Sequence, residues 1–300
     1  MQVRQTPSPG EIFLDHIGWY VPDMAAASSA FERLGFRLTP FTPHGDEQPD
    51  GSRVPSGTAN RCAMLERGYL EILTHVPALE TLRARELRAG LARYTGLHLI
   101  AFTCADAEAE SARLGTAGFA VQPTVRLRRP MPLDGGGEGT AAFSVVRLPP
   151  GAMPEGRVQL LTQDTPDIVW QPSMIARDNA VAALSGVVVV VGDPGEAVTR
   201  YARYLGVPVP PGHTIRLGRG AISFMTEARF RAAGAGANVP SLPFIAAAIL
   251  ESRDFAVTRE FLVRRGVRLV FDRDSALGIA PAEASGATVV ILAPGATWEG

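Results

Sequence analysis

The sequence predicts an α+β protein of four β-α-β-β-β units, paired two by two into domains at 1–165 and 182–300, with a linker at 166–181. Three observations predict it. One pattern recurs four times: an apolar strand, an acidic or proline-bearing turn, an Ala-rich helix closed by glycine, then further strands. A chain of 300 residues suits two domains at roughly 150 residues each. A single unit of this kind leaves an apolar sheet face and open edges, so it needs a second unit to cover them.

The first unit opens with Phe13–Val21 and turns at Pro22-Asp23. Its helix carries Phe31 and Leu34 and ends at Gly35, with strands at Phe36–Phe41, Asn60–Glu66 and Tyr69–Thr74. The second opens at Leu97–Thr103, with a helix from Ala105 to Gly118 and strands at Phe119–Leu127, Ala141–Leu148 and Arg157–Thr162. The third opens at Gly186–Val191, with a helix from Asp193 to Gly206 and weaker strands near Val207, His213–Leu217 and Ala221–Thr226. The fourth opens at Phe244–Glu251, with a helix from Asp254 to Gly266 and strands at Val267–Phe271, Leu277–Ala280 and Thr288–Leu292. Glycine ends each helix because it accepts the left-handed backbone of the position after the last turn. The strands are β-branched and aromatic, with stretches of period two. Between units one and two, Ala78–Tyr94 reads as a helix burying Leu79, Leu82, Leu87 and Leu91. Thr42–Thr58 and Pro130–Thr140 are rich in Gly, Pro and Asp and occupy matching places, so both are expected to be mobile, either as lids or binding loops or as slack surface insertions.

Composition narrows the function. All 29 basic residues are Arg, and with 30 acidic residues the net charge is −1. The lack of Lys excludes a Schiff-base lysine, a P-loop and a Ser-Lys dyad. A chain without basic surplus is not expected to bind nucleic acid. Cys62 and Cys104 form no C-x-x-C, so neither a disulfide framework nor a thiolate metal site is expected. The segment Met1–Pro9 is polar and no apolar stretch follows, which predicts a cytoplasmic chain without secretory signal. The longest aliphatic run, Val187–Val191, is too short to enter a membrane as a span.

Four polar residues interrupt apolar strands at repeating places. His16 and His98 lie on the opening strands of units one and two; Glu71 and Gln159 lie on their closing strands. Pairing the units about a pseudo-twofold axis brings all four into one cup, and imidazole with carboxylate is a ligand set for a divalent transition metal. Strand alternation expects His16, Leu14, Gly18 and Tyr20 in the cup, Glu71 with Tyr69 and Leu73, and His98 with Ile100 and Phe102. Tyr20, Tyr69, Phe102 and Arg61 are the candidate substrate contacts, Arg61 as a bidentate partner for a carboxylate or, more plainly, in an ion pair with Glu66. Arg126, Arg128 and Arg129 lead into the second loop and offer the same chemistry or, more plainly, a solvated face. The C-terminal pair places Gly186, Ser223, Ala246 and Val290 opposite the four ligands, so it reads as a metal-free half that shapes the first or makes an oligomer contact. Pairing as a homodimer is left open.

The motifs LDHIGWYVPD and TANRCAML-ERGYLEIL, with the linker TPDIVWQP, resemble the vicinal oxygen chelate superfamily, and more narrowly its glyoxalase-like branch, over roughly residues 12–295. The resemblance implies the glyoxalase/bleomycin resistance/extradiol dioxygenase fold. It implies that His16, Glu71, His98 and Gln159 hold a divalent metal (Zn, Ni, Co, Mn or Fe(II)), with Glu71 the proton-moving residue. Gln159 departs from glyoxalase I-like sites, which carry Glu there, and an amide cannot act as base. The implied function is a lyase or isomerase on a small, vicinally oxygenated substrate. The alternatives are an Fe(II) extradiol-type dioxygenase, for which two His and one carboxylate are the grouping, and a metal-free protein that binds or sequesters a small molecule.

Overall fold

The computed structural model describes residues 3–47, 52–175, 178–234 and 238–298, with fifteen strands and seven α-helices among them. Unit one is β1 (Phe13–Tyr20), α1 (Met24–Arg33), β2 (Thr42–Glu47), β3 (Arg53–Met64) and β4 (Tyr69–His75). The helix α2 (Leu82–Arg93) leads to unit two: β5 (Gly96–Thr103), α3 (Ala107–Thr116), β6 (Val125–Pro132), β7 (Glu138–Arg147) and β8 (Arg157–Gln163). After a one-turn helix α4 (Pro166–Val169), the third unit runs β9 (Val181–Val190), α5 (Pro194–Leu205), β10 (Thr214–Arg216) and β11 (Ala221–Met225). A short α6 (Glu227–Ala232) precedes the fourth: β12 (Phe244–Ser252), α7 (Phe255–Arg264), β13 (Leu269–Arg273), β14 (Ala276–Ile279) and β15 (Thr288–Leu292).

The same device starts each unit's helix. Asp23, Asp106, Asp193 and Asp254 sit in extended backbone and accept hydrogen bonds from the first free N–H groups of α1, α3, α5 and α7. Each helix stops at a glycine of positive φ, at Gly35, Gly118, Gly206 and Gly266.

All strands share one sheet, whose main path runs β10-β11-β9-β12-β5-β1-β4-β3-β2. Units one and two meet through antiparallel β1 and β5, and units three and four through antiparallel β9 and β12. The two pairs join where Ile245 of β12 pairs with Leu97 of β5. One core lies between the sheet and the helices and includes Ile17, Trp19, Leu70, Ile72, Ile100 and Phe102 with Phe31, Leu114 and Tyr201. On the other face of units one and two, Tyr20, Cys62, Tyr69, Leu73, Leu99, Ala101 and Phe143 line a cup.

Several elements depart from the sequence expectation. Two strands, not three, follow α5; near Val207 the chain instead closes the helix by a backbone bond to Ala202. Phe36–Phe41 forms no strand, and its place is taken by β2. The two expected loops are largely hairpin arms: β2 with β3, and β6 with β7. Residues 48–51 of the first loop lie outside the described residues. Pairing with a neighbour overrides the Gly/Pro-rich composition that suggested loops. At β6, exposure alternates residue by residue, as in a strand with one face turned inward.

Candidate functional site

The cup holds a cavity of about 120 Å³. His16 reaches it from β1, Glu71 and Tyr69 from β4, and Gln159 from β8. Register explains the meeting. His16 lies beside Tyr69 on one side and beside Ala101 on the other, and Ala101 lies beside Gln159. All three polar side chains are nearly buried, at 4% (His16), 9% (Glu71) and 7% (Gln159) exposure.

Each is held by neighbours. The fully buried Asp15 accepts a hydrogen bond from Nδ1 of His16 at 2.7 Å, which leaves the Nε2 lone pair for the cavity. Asp15 also accepts from the Thr103 hydroxyl and from Gln163 Nε2 at 3.1 Å. Burial alone would raise the Asp15 pKa; the hydrogen bonds from His16 and the Thr103 hydroxyl and the charge of Arg219 together hold it below the usual value. The His16 ring stacks on Tyr69, with centroids 4.3 Å apart. Glu71 Oε1 accepts from Asn60 Nδ2 at 2.6 Å, and Oε2 lies 3.7 Å from His16 Nε2. Gln159 Oε1 is buried without a hydrogen-bond partner among the described residues.

His98 does not join them. It is 2% exposed, and its ring lies between Tyr94 and Tyr20, at 4.0 and 4.9 Å. Its Nε2 bonds the Tyr94 carbonyl at 2.8 Å. Burial pushes its pKa down to about 4, although the Tyr94 bond acts the other way. A break in strand register is the cause: Gly18 pairs with Leu99 but Trp19 with Leu97, so Leu97 and Ile100 both face the helices, Leu99 and Ala101 face the cup, and His98, unpaired between them, turns aside to Tyr20 and Gly90. Leu14 also belongs to the helix-side core, because β1 is irregular between Leu14 and His16.

Of the expected substrate contacts, Tyr69 lines the cavity; Tyr20 is part of the cup but faces a second cavity beside His98. Phe102 is fully buried in the helix-side core. Arg61 points away, its Nε bonding the Thr39 carbonyl at 2.9 Å and its Nη1 lying 3.4 Å from Glu32 rather than near Glu66.

Other residues, Arg128 and Arg129 excepted, were not foreseen. Asn60 and Cys62 share a face of β3, and Cys62 lies opposite Glu71. A polar residue two positions before that contact was the available signal. His44, on β2, lines the cavity and bonds Thr58 at 3.0 Å. Burial lowers its pKa to about 4. Arg83, Arg128, Arg129, Arg147 and Arg157 also line the cavity, and Glu71 is the acid among its lining residues. Such an excess of guanidinium groups favours an anion.

Among the described residues no three His, Cys, Asp or Glu side chains come together in a way that could hold a metal ion. Besides His44 on β2 and the Asn60 amide held by Glu71, the donors facing the cavity are the imidazole of His16, the carboxylate of Glu71 and the amide oxygen of Gln159. The unpartnered Gln159 Oε1 is the observation that fits a cation there, since a buried acceptor without donor is costly. That three-donor set fits a divalent ion bound with solvent or substrate oxygens, not a site closed by protein ligands.

The sequence profile of the glyoxalase-like domain matches residues 14–205. No curated protein matches the sequence. The chain is similar in fold to a hypothetical protein from Staphylococcus aureus, with 12% identity, a TM-score of 0.61, and 94% and 99% of the two chains covered. It is similar to a mutant 4-hydroxymandelate synthase from Streptomyces coelicolor, with 15% identity, a TM-score of 0.57, and 98% and 95% covered. A xylose isomerase-like TIM barrel/4-hydroxyphenylpyruvate dioxygenase fusion protein matches at 13% identity and a TM-score of 0.58, over 99% of this chain and 51% of that one. Identities this low speak for the fold alone. Among the described residues, no helix is long and apolar enough to cross a membrane.

Proposed function

We propose that this chain, which belongs to the glyoxalase-like domain family of the vicinal oxygen chelate superfamily, binds a small, anionic, vicinally oxygenated molecule and moves a proton on it as a lyase or isomerase. The observation that carries this reading is the Asp15–His16···Glu71–Asn60 array on the floor of an arginine-lined cavity.

The roles follow from the contacts. Asn60 occupies one oxygen of Glu71 and so aims the other at the cavity, where it serves as the base that takes a proton from the carbon beside the oxygenated pair. Asp15 fixes the tautomer of His16, so that a lone pair, not an N–H, faces the substrate. The arginines neutralise the substrate's anionic group and the charge that develops as the proton leaves. Tyr69, with a pKa driven well above its ordinary value by burial, stays protonated and packs the imidazole in place. His16, Glu71 and Gln159 would hold a divalent cation, which when bound would supply Lewis-acid stabilisation of an enediolate-like anion. His98 turns to the Tyr94 carbonyl and does not line this cavity, and this favours proton transfer over the dioxygenase alternative, whose two-His-one-carboxylate grouping counted His98 with His16 and Glu71.

The test is proton exchange. In D2O, 2-oxo and 2-hydroxy acids are followed by NMR for deuterium entering at the carbon beside the oxygens. Exchange catalysed by the natural chain and lost in Glu71→Gln supports the reading, and equal exchange by the two proteins refutes it. Titration calorimetry with Mn(II), Ni(II) and Zn(II) on untagged protein, compared with Gln159→Ala, checks the cation site without relying on turnover.

A further inference from the structure

A second cavity of about 600 Å³ lies beside the first, and the two have three lining residues in common: Arg83, Arg147 and Arg157. Its walls are α2, the turn before β8 and the Pro149–Pro154 segment. Tyr20 and His98 line it as a stacked pair, with the rings 4.9 Å apart and inclined by 24°. Gly90 lets the α2 backbone pack close over them; a Cβ there would stand 2.7 Å from the Tyr20 ring and 3.3 Å from His98 Nδ1. Arg157 marks the boundary: it pairs with Glu86 at 2.7 Å on the second cavity's side, and Tyr20 senses Arg157, Glu71 and Glu86 together.

The difference in size carries the argument. The first cavity has room for a small oxygenated head only, whereas the second is about five times larger, at 600 against 120 Å³. Beyond the buried rings its accessible walls are aliphatic, with Leu82, Ala89, Val125 and Leu148, and Arg93 adds a cation that does not line the first cavity. An apolar body gains contact area on these walls, and a negative charge gains from the guanidinium groups between the cavities.

Resting on the proposed function, we infer that the second cavity is the subsite for the body of an elongated organic anion. The oxygenated end of this ligand occupies the first cavity, its charge lies against Arg83, Arg147 and Arg157, and its apolar tail lies along Leu82, Ala89, Val125 and Leu148. A short acid fills half of the site; the preferred substrate class is a longer acid with an apolar tail.

Calorimetry with two probes, pyruvate and 2-oxo-4-phenylbutyrate, tests this. The long acid is expected to bind about tenfold tighter or more, as burial of its phenyl group implies. Ala89 and Gln122 are exposed residues lining the second cavity. Ala89→Trp and Gln122→Trp fill that cavity from two walls, and each should bring the affinity ratio of the two acids close to one. No preference for the long acid, or a preference that survives both substitutions, overturns the inference. The proposed function fails separately: a long acid bound in this substitution-sensitive way, but with no Glu71-dependent deuterium exchange, would leave the subsite standing and remove the chemistry.

Discussion

The buried imidazole of His98 should make the fold acid-labile in a defined window. Its pKa falls from the ordinary 6.5 to about 4, chiefly through burial between Tyr20 and Tyr94. The folded chain therefore holds fewer protons than the unfolded chain between those values. Stability from this residue is complete above about pH 6.5 and declines as the pH falls towards 4. A change from 6.5 to about 4, at about 1.36 kcal/mol per pH unit, sets an upper figure of roughly 3 kcal/mol. His44, lowered to about 4 by burial as well, adds in the same direction, so the residue-specific part must come from a variant. His98→Gln keeps an N–H that can donate to the Tyr94 carbonyl and removes the titration. Urea unfolding at pH 7 and pH 4.5 should show a smaller acid loss in the variant than in the natural chain. A pH dependence unchanged by His98→Gln would refute the assignment.

Four further outcomes are expected. Leu99→His should place a second imidazole on the cup face and tighten Ni(II) or Zn(II) binding by at least about tenfold in calorimetry; unaltered affinity would argue that β5 does not reach the ion's position. Asp15→Asn removes the charge that orients His16 and should weaken divalent-ion binding roughly 10–100-fold, which metal titration of the folded variant reads directly. Gly286 has φ +96°, and a Cβ there would stand 2.1 Å from the Thr95 carbonyl oxygen; Gly286→Ala should cost about 3 kcal/mol or more in urea unfolding. Trp170 bonds the Leu65 carbonyl at 3.2 Å and packs edge-on to Tyr69; its replacement by Ala should cost about 3–5 kcal/mol by the same measurement.

What could be read from the sequence was governed by local rules. Aspartate caps and glycine stops fixed the helices, because each acts within a few residues. The faces of β4 followed from simple alternation, and Glu71 and Tyr69 meet the cup as expected. The hairpins β2–β3 and β6–β7 were hidden because their Gly-, Pro- and charge-rich strands have little propensity of their own and form through pairing with each other; His44 was hidden with them, and Arg128 and Arg129 were named only as the approach to a loop. Arg83, Arg147 and Arg157 come from three separate elements, and no spacing along the chain links them.

The misplacement of His98 had a local remedy. His16 precedes the capping Asp23 by seven residues, whereas His98 precedes the capping Asp106 by eight, and Leu99 is the residue at seven. Because each unit's strand feeds its helix through that cap, counting back from the aspartate gives the facing of the strand more securely than matching one histidine to another. The same count puts Gly186 and Ala247 at the corresponding places before Asp193 and Asp254. One unit of the four thus carries an imidazole at this level. The histidine of the second unit, turned one residue out of phase, is held by Tyr20 and Tyr94 at the edge of the larger cavity, where a neutral ring serves packing and stacking better than a charged one.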